Sequence, residues 1–523
     1  MTKGFDYIIV GAGTAGCVLA SRLSEDPSCS VCLIEAGDRD LPSEARVPAN
    51  WPGLQGSAID WGLRTEAQKN CASRVHDWPR GKVLGGSTAI NAMAHMRGHP
   101  ADFDAWAEAG LTGWGYADLL PYFIRSETSP IADPDLHGSE GPVHLIQPAE
   151  PNPVAEAYLL ACREQGLTPT DEHNGREMCG PTMNTLTIRN GERQTIADAY
   201  LPQPVLARPN LSVMTNTRVT RLLLDRGTCT GVETASGTLK STLIASSGVI
   251  LCAGAIATPC LLQRSGIGNP SDLKAAGIET RIESNQVGYH LHDHLLAAGN
   301  VYRARKTVPP SNYQHSESAT YIRSDGLPNT APPDMVVLCV VAPVVTECFE
   351  APAFGEAYTL MFGATHPKSR GRVTVKSDDP SVPPFIDPAY LTDPDDRNTA
   401  LAALDWARRI GHSAALDHWR DAEILPTPTD LADRNARENF LERVAYTHHH
   451  PVATCRMGVS QDSAVDPMLR LRGVDNAFVV DASVIPSIPT GPINAAIIAI
   501  AEKAADLLTD RPVLPQSDWR HTP

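Results

Sequence analysis

The sequence predicts an α/β protein that opens on a Rossmann-like nucleotide-binding unit, and three observations predict it. A short apolar run, Phe5-Asp6-Tyr7-Ile8-Ile9-Val10, stops at Gly11-Ala12-Gly13-Thr14-Ala15-Gly16. Ala15, Val18, Leu19 and Leu23 then recur at helical spacing until Asp26-Pro27, and Ser30 to Ile34 supplies a second strand. Apolar runs of this kind suit parallel strands buried on both faces, and GxGxxG between strand and helix is the dinucleotide fingerprint.

Each element of that unit has a physical task. Gly11 permits the tight turn, Gly13 lets backbone approach a pyrophosphate, and Gly16 lets helix and strand pack closely. The helix that Thr14 and Ala15 open directs its N-terminus at the phosphates. Glu35 ends the second strand, where a carboxylate accepts hydrogen bonds from ribose and repels a 2′-phosphate, so FAD or NAD is expected over NADP. Gly11, Gly13, Thr14, Ala15, Glu35 and Ala36 are the first cofactor-binding candidates.

Further along, Arg80-Gly81-Lys82-Val83-Leu84-Gly85-Gly86-Ser87-Thr88-Ala89-Ile90-Asn91 joins paired glycines to hydroxyls and an amide, which suits backbone wrapped around a polar ligand. Val249 to Cys252 reads as a strand, and Gly254 to Gly268 after it as a turn, a helix and a glycine stop. Pro-rich interruptions at Val308-Pro309-Pro310 and Val382-Pro383-Pro384 fall where the βαβ rhythm disappears. The acidic cluster Asp393-Pro394-Asp395-Asp396 reads as the solvated start of a helix beginning near Asn398.

Composition narrows the class. The 523 residues are enough for one or two large domains, and 42% hydrophobic with 20% charged is the composition of a globular protein. The 44 Lys+Arg against 60 Asp+Glu give a formal charge of −16, a field that repels nucleic acid and anionic lipid. The longest apolar runs are too short to span a bilayer, and a cytoplasmic protein without membrane or nucleic-acid partners is expected. Twelve cysteines are too dilute for a disulfide framework, and they read as packed thiols.

Taken together, the glycine fingerprint, the Arg80–Asn91 stretch and the Gly254–Gly268 stretch resemble the glucose-methanol-choline (GMC) family of FAD-dependent oxidoreductases. Asp60-Trp61, Val287-Gly288 with Asp293-His294, Ser369-Arg370-Gly371, Asp387-Pro388 and Val480-Asp481-Ala482-Ser483 are similar to it as well. His95 departs from the usual residue at its place. The resemblance implies an α+β whole: a discontinuous FAD domain over 1–150, 195–290 and 445–523, and a substrate domain of antiparallel sheet and helices over 151–194 and 291–444.

It also implies roles. Glu35 holds the adenosine ribose, Trp61 lies near the adenine, and Val219 presents its backbone there. Gly85, Gly86, Ser87, Asn91 and Ala92 line the pyrophosphate and flavin, Ala253 and Gly254 join them, and Asp481 and Ala482 stand at the ribityl and phosphate end. Some members attach FAD through a histidine where this chain has Ile90, so the FAD is expected to be non-covalent.

The run Thr447-His448-His449-His450-Pro451-Val452 carries the family's catalytic position at His450. A neutral imidazole there takes the alcohol proton while the flavin takes the hydride. If the segment is extended, His448 points beside His450 and His449 turns away, which makes His448 a substrate partner. The family's second polar residue falls at Pro492, which has no polar side chain; either the imidazoles or Asn494 must replace it.

A histidine pair with proline at the second position is similar to family members that oxidise the 4′-hydroxymethyl of pyridoxine with O2. Pyridoxine is therefore the expected substrate, O2 the expected acceptor and a monomer the expected state. An aryl-alcohol or 5-hydroxymethylfurfural oxidase, a choline-type dehydrogenase, and a flavin-containing hydroxynitrile lyase or photodecarboxylase stay open. His290, His292 and His294 alternate, but no metal is assigned to them.

Overall fold

The computed structural model describes residues 3–509 and 511–519; residues 1, 2, 510 and 520–523, included in the expected FAD segments, lie outside the described residues. Strand Lys3–Val10, helix Thr14–Leu23 and strand Val31–Ile34 form the opening β-α-β unit. Val31–Ile34 is buried at every position, the pattern of a central parallel strand. The sheet runs Leu211–Met214, Val31–Ile34, Lys3–Val10, Leu239–Leu251, Thr228–Ser236 and Arg218–Asp225, and Ala477–Val479 adds to the end of Leu239–Leu251.

Leu239–Leu251 serves two neighbours in turn. Its first half pairs antiparallel with Thr228–Ser236, and its second half lies parallel between Lys3–Val10 and Ala477–Val479. Only the second half was apolar enough to read as a strand; Leu239 to Thr242 are exposed. Helix Asn494–Leu508 is buried from Ala495 to Asp506 and packs on Thr14–Leu23. Within it, fully buried Glu502 is neutralised by Arg22 and Arg125 and accepts the Tyr200 hydroxyl.

A second, antiparallel sheet of eight strands carries Arg420–Leu425, Val301–Ala304, Ala357–Ala364, Met335–Val340, Ser318–Ile322 and Gly180–Met183, with Leu295–Ala297 and Ala445–Thr447 paired at one side. Period-two alternation splits its faces. Val337, Cys339, Leu360 and Phe362 enter the core shared with helices Pro153–Glu164 and Pro394–Gly411, whereas Val336, Leu338, Val340 and Met361 join a separate cluster with Met96, Leu296 and Tyr321. The second face becomes one wall of the site described below.

One expectation changes. The helix expected near Asn398 starts at Pro394, because Asp393 caps it by accepting from the Asp395 N–H and proline suits the first helical position. Asp396 is not solvated: it is buried and accepts from the Lys368 and Ser369 backbone and the Ser369 hydroxyl. Strand Ala445–Thr447, which opens the last segment expected for the FAD domain, lies in the second sheet.

Candidate active site

Two glycine turns build the floor of the site. Gly11 has φ +99°, a conformation that a side chain would strain, and Gly86 approaches Gly13 so closely that a Cβ on Gly86 would lie 2.7 Å from the Gly13 Cα. Gly85 binds the turns together by donating its N–H to the Ala12 carbonyl at 2.8 Å. A Cβ on Gly13 or Gly254 would meet nothing within 4 Å, and both residues line a cavity of about 1510 Å³, so they offer it bare backbone. That volume exceeds the roughly 300–1,000 Å³ typical of one small ligand and leaves room for a dinucleotide and a substrate.

Of the expected cofactor residues, Gly11, Gly13, Thr14, Ala15, Glu35, Ala36, Trp61, Gly86, Ser87, Asn91, Ala92, Val219, Ala253, Gly254, Asp481, Ala482, Pro492 and Asn494 all line this cavity. Gly85 does not; its N–H is committed to the Ala12 carbonyl. The Glu35 carboxylate accepts from the Ala12 N–H at 2.9 Å and the Gly37 N–H at 2.8 Å, and burial raises its pKa. A carboxylate has about four acceptor sites, so these bonds fix its position without exhausting it. Trp61 stands between Lys82 and Arg218, 5.1 and 5.3 Å from its ring.

The Asp481 side chain is committed inward. It accepts from the Gly254 N–H and the Thr258 hydroxyl through one oxygen and from the Ser483 N–H and hydroxyl through the other. It therefore holds the start of helix Gly254–Arg264 in place. Asn494 accepts the Thr14 hydroxyl at 2.7 Å, tying the first turn of the last helix to the first turn of the opening one.

At the other end of the cavity three imidazoles meet. Leu295 pairs with Thr447 across antiparallel strands, so His294 and His448 sit opposite one another at the strand ends, and His448 donates its N–H to the His294 carbonyl at 2.9 Å. The His448 and His450 rings are 4.4 Å apart, and Nδ1 of His294 lies 3.0 Å from Nδ1 of His450. Asp293 supports the cluster from behind: it accepts the His450 N–H at 2.6 Å and the Thr447 and Tyr390 hydroxyls at 2.5 Å each.

His449 does turn away, with its ring edge-on to Tyr446 at 5.5 Å, but not because the segment is extended. Its φ is +65°, unusual for a residue with a side chain, and its carbonyl accepts from both terminal nitrogens of half-buried Arg80 at 2.9 Å. The turn rather than strand alternation places His448 and His450 side by side.

Burial first, then the neighbouring His448 and His294 rings, holds His450 well below the ordinary imidazole value of 6.5. Burial alone pushes His448 down to about 4. Both rings are therefore neutral at neutral pH and able to accept a proton. With the shared proton on Nδ1 of His450, accepted by Nδ1 of His294, the lone pair of His450 is left at Nε2.

Sequence reasoning missed His294 as part of this cluster, together with the supporting roles of Asp293, Tyr390 and Arg80. The Asp293-His294 pair was a visible signal, but its partner His450 is 156 residues away. His292 belongs elsewhere: it accepts the Ile488 N–H at Nε2 and donates Nδ1–H to the His290 carbonyl, a structural staple that burial holds down to about 3.

A parallel-sheet nucleotide cradle that shares one cavity with neutral imidazoles beneath an antiparallel sheet defines a dinucleotide-dependent oxidoreductase. More particularly, the chain belongs to the GMC oxidoreductase family, whose N- and C-terminal profiles match residues 5–296 and 367–501, and it is an FAD-dependent flavoenzyme. It is 46% identical over 500 residues to the pyridoxine 4-oxidase of Microbacterium luteolum, covering 95% of this chain and 98% of that one. Human mitochondrial choline dehydrogenase is 34% identical over 550 residues, covering 98% and 91%. The crystal structure of pyridoxine 4-oxidase from Mesorbium loti matches with a TM-score of 0.93 at 47% identity, over 96% of this chain and 98% of that one.

Proposed function

We propose that the protein is an FAD-dependent alcohol oxidase that converts the 4′-hydroxymethyl of pyridoxine to the aldehyde, with O2 leaving as H2O2. The observation that carries this reading is the pair of neutral imidazoles, His448 and His450, on the wall of a cavity that also holds the glycine cradle. The 46% identity along nearly the whole of a pyridoxine 4-oxidase supports the substrate. The two-part domain division expected from the sequence, a monomer and a cytoplasmic setting belong to the same proposal; the twelve free cysteines agree with a reducing compartment.

In this reading FAD, when bound, supplies the hydride acceptor. Nε2 of His450 receives the hydroxyl proton, and the resulting imidazolium keeps its Nδ1–H on His294 while Asp293 fixes its backbone. His448 offers a hydrogen bond to the pyridine ring's own polar groups, which compensates for the apolar Pro492. The overall change, RCH2OH + O2 → RCHO + H2O2, balances. Ile90, buried on the cavity wall, offers no nucleophile to a flavin, so the FAD is held without a covalent bond.

An aerobic peroxide assay across pyridoxine, benzyl alcohol, 5-hydroxymethylfurfural and choline tests substrate and acceptor together. Peroxide formed fastest with pyridoxine is expected. Anaerobic bleaching of the flavin without aerobic peroxide would replace O2 by another acceptor, and a flavin that no alcohol bleaches would end the proposal.

A further inference from the structure

His294, His448 and His450 each offer a ring nitrogen, and these atoms all lie within 4.8 Å of one another. We infer that this triad is a binding site for a divalent cation of the zinc class, and that its occupation switches the enzyme off. Zinc bound tetrahedrally at about 2.0–2.1 Å from each nitrogen needs nitrogens about 3.3–3.4 Å apart. The His294 and His450 Nδ1 atoms are already 3.0 Å apart, within a few tenths of an ångström of that edge.

The third ligand is close and free to adjust. His448 sits with its ring 4.4 Å from that of His450, and its ring nitrogens hold no hydrogen-bond partner among the described residues. The backbone beneath the triad is rigid, since the Leu295–Thr447 pairing, the His448 N–H to His294 carbonyl bond and the Asp293 bond to the His450 N–H fix all three Cα positions. The carboxylate nearest the triad is spent: Asp293 serves Thr447, Tyr390 and the His450 backbone. Three imidazoles without a carboxylate select zinc, cobalt, nickel or copper over magnesium or calcium. The cavity lined by His448 and His450 leaves room for a water in the fourth position.

The switch follows from proton placement and rests on the reading of His450 as the base. A metal on Nδ1 of both His294 and His450 displaces the proton that those atoms share. Each ring then keeps one proton, on Nε2, so no net proton is released and His450 loses the lone pair that would accept the alcohol proton.

The test uses the holoenzyme without an affinity tag, freed of metal by a chelator and titrated with Co2+ while its visible absorption is followed. One saturable equivalent with a tetrahedral cobalt band, displaced by Zn2+, is expected. His448→Ala should weaken that binding by more than about tenfold, since even outer-shell partners of a bound metal are worth about 10–100-fold in affinity. Absence of the band, or an unchanged band in His448→Ala, overturns the site. In parallel, Zn2+ should abolish alcohol turnover and a chelator should restore it. If cobalt binds at the triad while Zn2+ leaves turnover intact, the site stands and the switch falls. Should no alcohol be turned over at all, the cobalt titration still decides the site independently of the oxidase reading.

Discussion

His450 lies where three influences act in the same direction. It is largely withdrawn from bulk water on the cavity wall, and the imidazoles of His448, His294 and His449 and the Arg80 guanidinium stand near enough to disfavour a positive charge on it. A base whose proton affinity is lowered stays competent as the pH falls, so the acid limb of kcat/KM is expected below pH 6.5, the ordinary imidazole value, and not above it. A pH–rate profile whose acid limb lies above that value would contradict the burial argument. His450→Ala should reduce kcat by about 10²–10⁴-fold with flavin still bound, the usual size of general-base assistance. His448→Ala should raise KM more than it lowers kcat, because it removes binding common to ground and transition states; steady-state kinetics with pyridoxine separate the two. In the sequence His450 was singled out through the family resemblance and His448 through strand alternation, and the structure places the two rings side by side. Neither the +65° φ of His449 nor the meeting with His294 was legible there, because both depend on Arg80, Asp293 and a strand pairing far away in the chain.

The opening β-α-β unit was readable because burial is continuous along its strands and the helix carries its apolar residues at helical spacing, so local pattern and tertiary role coincide. Strands of the second sheet were not readable one by one. Met335–Val340 and Ala357–Ala364 are apolar on both faces, since one face meets helices and the other meets the cavity wall, and such runs carry no period. At the level of the glycine turns, sequence spacing suggested two separate loops around a ligand, whereas the structure shows them pressed backbone to backbone at Gly13 and Gly86. Gly86→Ala tests that contact. The added Cβ would fall 2.7 Å from the Gly13 Cα, and Gly86 also has φ +54°, so one turn must move and the cradle with it. Loss of FAD affinity by about 1–3 kcal/mol is expected, on the scale of one left-handed residue plus a local shift. The far-UV circular dichroism should stay native. Gly4→Ala, whose Cβ would meet nothing within 4 Å, is the control and should retain full flavin. Equal flavin content in both variants would mean that the turns tolerate separation.

Over the whole molecule the cavity joins the two sheets: its lining runs from Gly11 and Glu35 on the parallel sheet to Leu338 and Met361 on the antiparallel one. A dinucleotide bound there would contact both halves, and its binding would add RT ln(1 + [L]/Kd) to the stability of the folded chain, about 2.7 kcal/mol at a hundredfold excess over Kd. Glu35 is central to that coupling, because its carboxylate holds the Ala12 and Gly37 amides of the cradle as well as facing the cavity. Glu35→Ala should therefore weaken FAD by about 1–3 kcal/mol, the worth of a charge-assisted acceptor. It should also lower the melting temperature of the holoenzyme more than that of the apoprotein. The proposed non-covalent attachment rests on Ile90, which offers the flavin no nucleophile at that position. Acid precipitation should leave intact FAD in the supernatant, and the apoprotein, prepared under milder conditions, should melt at a lower temperature that rises with each increment of added FAD. Differential scanning fluorimetry of the wild type and Glu35→Ala across an FAD series measures both effects. Flavin retained in the acid pellet would show a covalent link that the chain's side chains at Ile90 cannot make. A melting temperature indifferent to FAD would show that the two sheets hold together without the cofactor between them.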